Sequence, residues 1–181
     1  HTHEFPPRGG IPAARQDVLT DDALEILQYA ADAVAAGIPA ALVTLVEVHG
    51  GAARQPGAQM VVLADGRYCG FVSGGCVEAA AAREASEAIA SGRDRVVRFG
   101  EGSDYFDIVL PCGGGITLAI HVIRSGAPLQ HTLERLYRRQ SAGLAYVPSD
   151  SSLAFVPHTA FTGWRDGQFL LALPPRPRLV I

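Results

Sequence analysis

The chain has no lysine and no asparagine, and only one methionine, one tryptophan and three cysteines among its 181 residues. Three cysteines are too few, and too odd in number, for a disulfide-dense secreted scaffold. None of them forms a CxxC pair, and no second Cys/His cluster offers zinc-ligand spacing. A reducing, cytoplasmic compartment fits this usage. Charged residues make up 18% of the chain and the net charge is −3, which speaks against a strongly basic nucleic-acid face. The longest apolar runs fall well short of the roughly 20 residues a membrane span needs, and no signal-peptide pattern is visible. Outside the tail, where His1 and His3 stand, there is no HxH pair, and the chain has no HExxH pair, no GxSxG elbow and no Walker GxxxxGK[ST] loop. The histidines His49, His121, His131 and His158 are scattered.

What is present is a rather apolar globular composition, with 48% hydrophobic residues, 20 glycines and 12 prolines. The length is room for one domain or a domain and a half, enough to bury roughly 70% of the unfolded surface. All 15 basic residues are arginines. Each is a planar fork suited to phosphate or carboxylate, although a codon bias is the simpler account of the whole set.

Residues 1–17, rich in Pro, Gly and Arg and beginning at His1, read as a loose tail or tag remnant. Thr20-Asp21-Asp22 is a helix start, and Ala23, Leu24, Leu27, Ala30, Ala31 and Val34 recur at helical spacing up to Gly37. Ala40 to Val48 is a β-branched, apolar run and reads as a buried strand. Ala58–Leu63 and Arg67–Val72 form a hairpin about Asp65-Gly66. A helix is expected from Cys76 to Ser91. Short strands follow at Arg95–Phe99, Phe106–Leu110 and Ile116–Ile123, then an amphipathic helix at Leu129–Gln140. Leu144–Val147, Leu153–Val156 and Gln168–Leu173 suggest a small β-meander. Strands interleaved with helices give an α/β fold, a mixed sheet flanked by helices. The expected organisation is an α/β domain over 18–142, a β-rich connector over 143–173, and a proline-rich linker over 174–181 that runs into the start of another strand.

Three segments carry chemistry. In Phe71-Val72-Ser73-Gly74-Gly75-Cys76-Val77-Glu78 a strand turns through two glycines into a helix. Such glycines let the backbone approach a ligand, the helix start favours an anion, and its field makes Cys76 a candidate thiolate. The alternative is a tight turn with a small packing cysteine. In Leu110-Pro111-Cys112-Gly113-Gly114-Gly115-Ile116 three glycines can form a nest of amides, or merely a glycine-rich connection. If the two loops meet at one edge of the sheet, they make an anion pocket flanked by two thiols. In His49-Gly50-Gly51-Ala52-Ala53-Arg54-Gln55-Pro56-Gly57-Ala58-Gln59-Met60, Arg54 can clamp two oxygens or simply be a solvated loop residue. Cys69, in mid-strand, reads as a packing residue.

Taken together and in this order, GxxxRxPGAQM, GxVSGGCVE and FDIVLPCGGGI resemble the N-terminal domain of the xanthine dehydrogenase accessory (XdhC/CoxI) family, over roughly Asp22 to Val122. The resemblance implies a molybdenum cofactor-binding accessory protein, a maturation factor rather than an enzyme in its own right. Such a factor assists sulfuration of the cofactor, with a cysteine desulfurase as partner, and its insertion into an apo molybdenum hydroxylase such as xanthine dehydrogenase or carbon monoxide dehydrogenase. It also implies a homodimer and a following Rossmann domain, before which this chain stops. The cofactor is expected as molybdopterin or its dinucleotide form. Arg54, Ser73, Gly74, Gly75, Cys76, Cys112, Gly113 and Gly114 are the residues expected to hold it, with Cys76 and Cys112 as the molybdenum or sulfur contacts. One departure is that Gly50-Gly51-Ala52 stands where the family often has Gly-Ser-Ser, which removes two hydroxyl donors. Two other functions remain open. One is an NAD(P)-binding oxidoreductase, with NAD(P) bound only through the missing domain, and the other a thiol redox or sulfur-transfer protein using the two loop thiols.

Overall fold

The computed structural model describes residues 17–100 and 114–177. Helix α1 (Ala23–Ala35) starts where the Asp22 carboxylate accepts the Leu24 amide at 3.0 Å, and it closes at Gly37 with φ +72°. The chain then enters β1 (Ala40–His49), β2 (Gln59–Leu63) and β3 (Tyr68–Gly70). Helix α2 (Glu78–Ser91) leads to β4 (Arg95–Gly100), and β5 (Gly115–Val122) leads to helix α3 (Ala127–Tyr137). The remainder is β6 (Ala142–Val147), β7 (Ser152–Val156), β8 (Gly163–Arg165) and β9 (Gln168–Leu173).

The first sheet has the order β3-β2-β1-β5-β4 and the second β7-β6-β9-β8. Every named pair of strands is antiparallel, and among the described residues the parallel element is a single bridge between Val18 and Cys69 beside β3. The middle strand β1 is buried on both faces, which its unbroken apolar run requires. Leu42 packs with α1 and α3, while Ala41, Val43 and Leu45 pack with α2. Helix α2 supplies a small-residue face, Ala81, Ala85 and Ala88, that lets it lie close to the sheet. Helices α1 and α3 share their core with Ala142, Leu144, Leu171 and Leu173 of the second sheet.

Sequence and structure differ at several boundaries. Helix α2 begins at Glu78, not Cys76, because side chains hold residues 73–77 in a turn, as described below. Helix α3 ends at Tyr137 because Arg139 turns left-handed, with φ +57°. Strand β3 stops at Gly70, whose φ is +98°; a Cβ there would lie 2.5 Å from the Gln59 carbonyl. The short strand β8, with no apolar run of its own, is stabilised by pairing to β9. The expected strand Phe106–Leu110 lies outside the described residues.

A buried carboxylate ties the two sheets together. Asp94, just before β4, accepts from His121 Nδ1 at 2.8 Å and Tyr146 Oη at 2.7 Å. It also accepts from the Val122 amide at 2.9 Å and Arg124 at 3.0 Å. Burial alone would raise its pKa, but the hydrogen bonds from His121, Tyr146 and Val122 outweigh it and hold the carboxyl well below the usual carboxylate range. Burial, and then donation to Asp94, pushes the Tyr146 phenol up.

Candidate functional site

Antiparallel order brings the three glycine-rich segments to one edge of the first sheet. Strand β1 leaves the sheet there at His49, which pairs with Gly115 at the start of β5. Gly100 at the end of β4 pairs with the same Gly115. Met60, at the start of β2, pairs with Gly70 at the end of β3.

The segments touch. A Cβ on Gly114 would fall 2.1 Å from the His49 carbonyl oxygen and 2.8 Å from that of Gly51. No side chain fits at 114, so this glycine is what allows the β1 loop and the β5 approach to close on each other. Gly50, with φ +76°, faces the Gly114 Cα. The β1 loop also reaches the Ser-Gly-Gly-Cys turn, since a Cβ on Gly74 would lie 3.5 Å from the Ala53 methyl group. Arg54 donates to the Phe71 carbonyl at 2.8 Å, and its guanidinium carbon lies 4.4 Å from the centre of the Phe71 ring. That is a hydrogen bond and a cation–π contact joining two loops. Arg54 is thus held in place by the protein and half-buried, with further N–H groups on its fork.

The turn itself is organised by a residue that sequence reasoning passed over. Glu78 is only 2% exposed, and Ser73 6%. The Ser73 hydroxyl donates to the Glu78 carboxylate and accepts from the amides of Gly75 and Val77, both at 3.3 Å. Glu78 also accepts the Gly75 amide at 3.1 Å. The glutamate reaches back three residues to an amide, as the acid of a capping box does, but it stands at the first residue of α2 and so braces the turn before the helix. Two amides expected to face an anion are therefore engaged by the protein's own oxygens. What the turn presents outward is exposed Gly74, Gly75 and Cys76.

Cys76 carries an exposed thiol, whereas Cys69 is buried at 2% exposure within the core, the packing role its mid-strand position indicated. Cys112 and Gly113 lie outside the described residues. Among the described residues no cluster of three His, Cys, Asp or Glu side chains is placed to hold a metal ion, and no helix is long and apolar enough to cross a membrane. Close by, His49 Nε2 stands 3.3 Å from the Glu47 carboxylate at the bulge of β1. The edge thus combines an exposed soft thiol, a braced guanidinium and a glycine floor. Such a surface can grip a ligand that is soft at one end and anionic at the other.

Residues 33–100 of this α/β fold match the model of the XdhC and CoxI family. The chain belongs to that family. It is 58% identical over 166 residues to the molybdenum cofactor insertion chaperone PaoD of Escherichia coli (strain K12), covering 92% of this chain and 52% of that protein. The chain therefore spans about half the length of this curated relative. A crystal structure of a Bacillus halodurans protein described as a xanthine dehydrogenase shares the fold. It has a TM-score of 0.67 at 20% identity, over 84% of this chain and 53% of that one.

Proposed function

We propose that this chain belongs to a molybdenum cofactor insertion chaperone, and that the glycine-rich sheet edge receives the cofactor. The observation that carries the reading is the convergence of three separate segments, with Gly114 sealed against His49 and Arg54 braced on Phe71, around the exposed thiol of Cys76. Similarity to a molybdenum cofactor insertion chaperone supports it.

The residues fit such a cargo. A dithiolene-bound molybdenum is soft and accepts thiolate, and Cys76 is exposed to offer one. The phosphate of molybdopterin, or the pyrophosphate of its dinucleotide form, suits the remaining N–H groups of Arg54 and the exposed backbone of Gly74. Ser73 and Glu78 keep the turn rigid, so Cys76 is presented at a fixed place. Cys112 and Gly113, which precede β5 in the sequence, complete the proposed set. Partners of the whole protein are proposed to be an apo molybdenum hydroxylase, which takes up the cofactor, and a cysteine desulfurase, which supplies sulfur, with the chaperone acting as a homodimer in the cytoplasm.

The test is purification from a molybdenum-replete host, followed by metal analysis and pterin fluorescence after oxidation. The wild-type chain should carry molybdenum and pterin in comparable amounts. Cys76→Ala should lose most of both while keeping its fold by circular dichroism. Equal loading of wild type and variant would refute the role of Cys76, and absence of pterin from the folded wild type would refute the reading as a whole.

A further inference from the structure

Far from the glycine edge in sequence, the C-terminal end of α3 carries a concentration of positive charge. Tyr137, Arg138, Arg139 and Arg176 line one open hollow. The first three follow one another at the helix end, and Arg176 comes from the proline-rich segment after β9. In a chain of net charge −3, three guanidinium groups around one hollow is a local excess.

Arginines at a helix end often serve only to offset the negative pole of the helix. Here the backbone has already met that need. The Arg139 amide donates to the Leu136 carbonyl and the Gln140 amide to that of Arg135, the pairing of a Schellman turn. In that turn the left-handed position belongs to glycine, yet it is occupied by Arg139 with φ +57°. A long side chain is kept where the backbone disfavours one, and it faces the hollow. Among the described residues neither Arg138 nor Arg139 has an ion-pair partner, while Arg176 shares one nitrogen with Asp22 at 3.2 Å. The floor is fixed, because the Tyr137 hydroxyl donates to Gln28 Oε1 at 2.7 Å across the α1–α3 contact.

We propose that Tyr137, Arg138, Arg139 and Arg176 form an oxyanion site for the phosphoryl group of a small soluble molecule. Three forks converging from two segments suit the splayed oxygens of a phosphate or pyrophosphate better than a single carboxylate. The site is separate from the sheet edge and does not rest on the cofactor reading.

The test is titration of the full chain with inorganic pyrophosphate at low salt, followed by backbone amide NMR. Saturable shifts are expected at Tyr137–Gln140 and Arg176, weakening as salt is raised. Arg139→Gly is the informative variant, since it removes one fork while giving the turn its preferred residue. It should melt at or above the wild-type temperature and yet bind pyrophosphate at least about tenfold more weakly. Arg138→Gln should weaken binding comparably. Unchanged affinity in Arg139→Gly, shifts that fail to saturate, or binding only to phosphatidic acid vesicles would each overturn the proposal.

Discussion

Replacing Asp94 tests the strut between the two sheets. Its side chain is 6% exposed and that of His121 9%, so the bonds between them are made largely out of water. A carboxylate can only accept, so His121 Nδ1 carries the proton of their 2.8 Å contact. Asp94→Ala leaves that N–H, the Tyr146 hydroxyl and the Val122 amide without their acceptor. Breaking a buried, hydrogen-bonded charge cluster costs about 3–5 kcal/mol. For a domain of this size that corresponds to a fall in melting temperature of roughly 6–20 °C. Asp94→Asn keeps the shape and one accepting oxygen, and is expected to cost about 1–2 kcal/mol. The pH dependence has a definite sign. The folded carboxyl titrates below its unfolded value of about 3.9, so its stabilisation is complete above that pH and is lost as pH falls further. Urea denaturation followed by circular dichroism should therefore show wild type and Asp94→Asn well separated at neutral pH and converging below about pH 4. A cost under about 1 kcal/mol for Asp94→Ala, far short of the range for a buried charge cluster, would refute the reasoning. So would a gap between wild type and Asp94→Asn that stays constant with pH.

The remaining predictions concern the glycine edge. Gly114→Ala places a methyl group against the His49 carbonyl and should cost about 1–3 kcal/mol in urea denaturation, with loss of cofactor loading. Glu78→Ala strips the acceptor from the Ser73 hydroxyl and the Gly75 amide; a cost of about 1–3 kcal/mol is expected, with faster amide exchange at Gly75. Arg54→Ala removes one hydrogen bond and one cation–π contact, about 1–2 kcal/mol together. In a Phe71→Ala background the effect should shrink by about 0.5–1 kcal/mol, the share of the lost ring contact, while the hydrogen bond to the backbone carbonyl of residue 71 keeps the rest, as a double-mutant cycle would show.

Much of the fold was legible because burial writes itself into periodicity. The run Ala40–Val48 and the alternation of α1 follow from β1 lying between two layers and α1 covering one face. Composition carried no comparable signal for β8, whose Gly-Trp-Arg becomes a strand only because β9 lies beside it. The α2 start was misplaced for a related reason. Cys76 and Val77 have no local bar to helix, and what holds them out is the hydroxyl of Ser73 and the carboxylate of Glu78, a tertiary arrangement folded into six residues. The same arrangement altered the chemistry expected of the turn. Two amides that a helix start would offer to a ligand are spent on the protein, and the thiol becomes the outward feature.

That the three motifs meet at all is a consequence of strand order. They are separated by tens of residues, and each alone reads as an ordinary glycine-rich turn. An antiparallel sheet with the order β3-β2-β1-β5-β4 forces β1, β3 and β4 to finish, and β2 and β5 to begin, at one edge. Every loop at that edge must then share space with its neighbours. Residues there are limited by what the adjacent backbone permits: Gly114 by the His49 and Gly51 carbonyls, and Gly70 by that of Gln59. Glycines required by close packing, Gly70 and Gly114, thus stand at the same edge as the exposed Gly74 and Gly75, where a Cβ would meet no close contact. The packing that excludes a side chain at position 114 leaves the backbone nearly bare at positions 74 and 75, beside the thiol. Gly75→Ala separates the two demands, since a Cβ there would meet no neighbouring atom. Any loss of stability would come from its φ of +102°, and any further loss of cofactor loading in the folded fraction would come from the methyl group standing in the ligand's path.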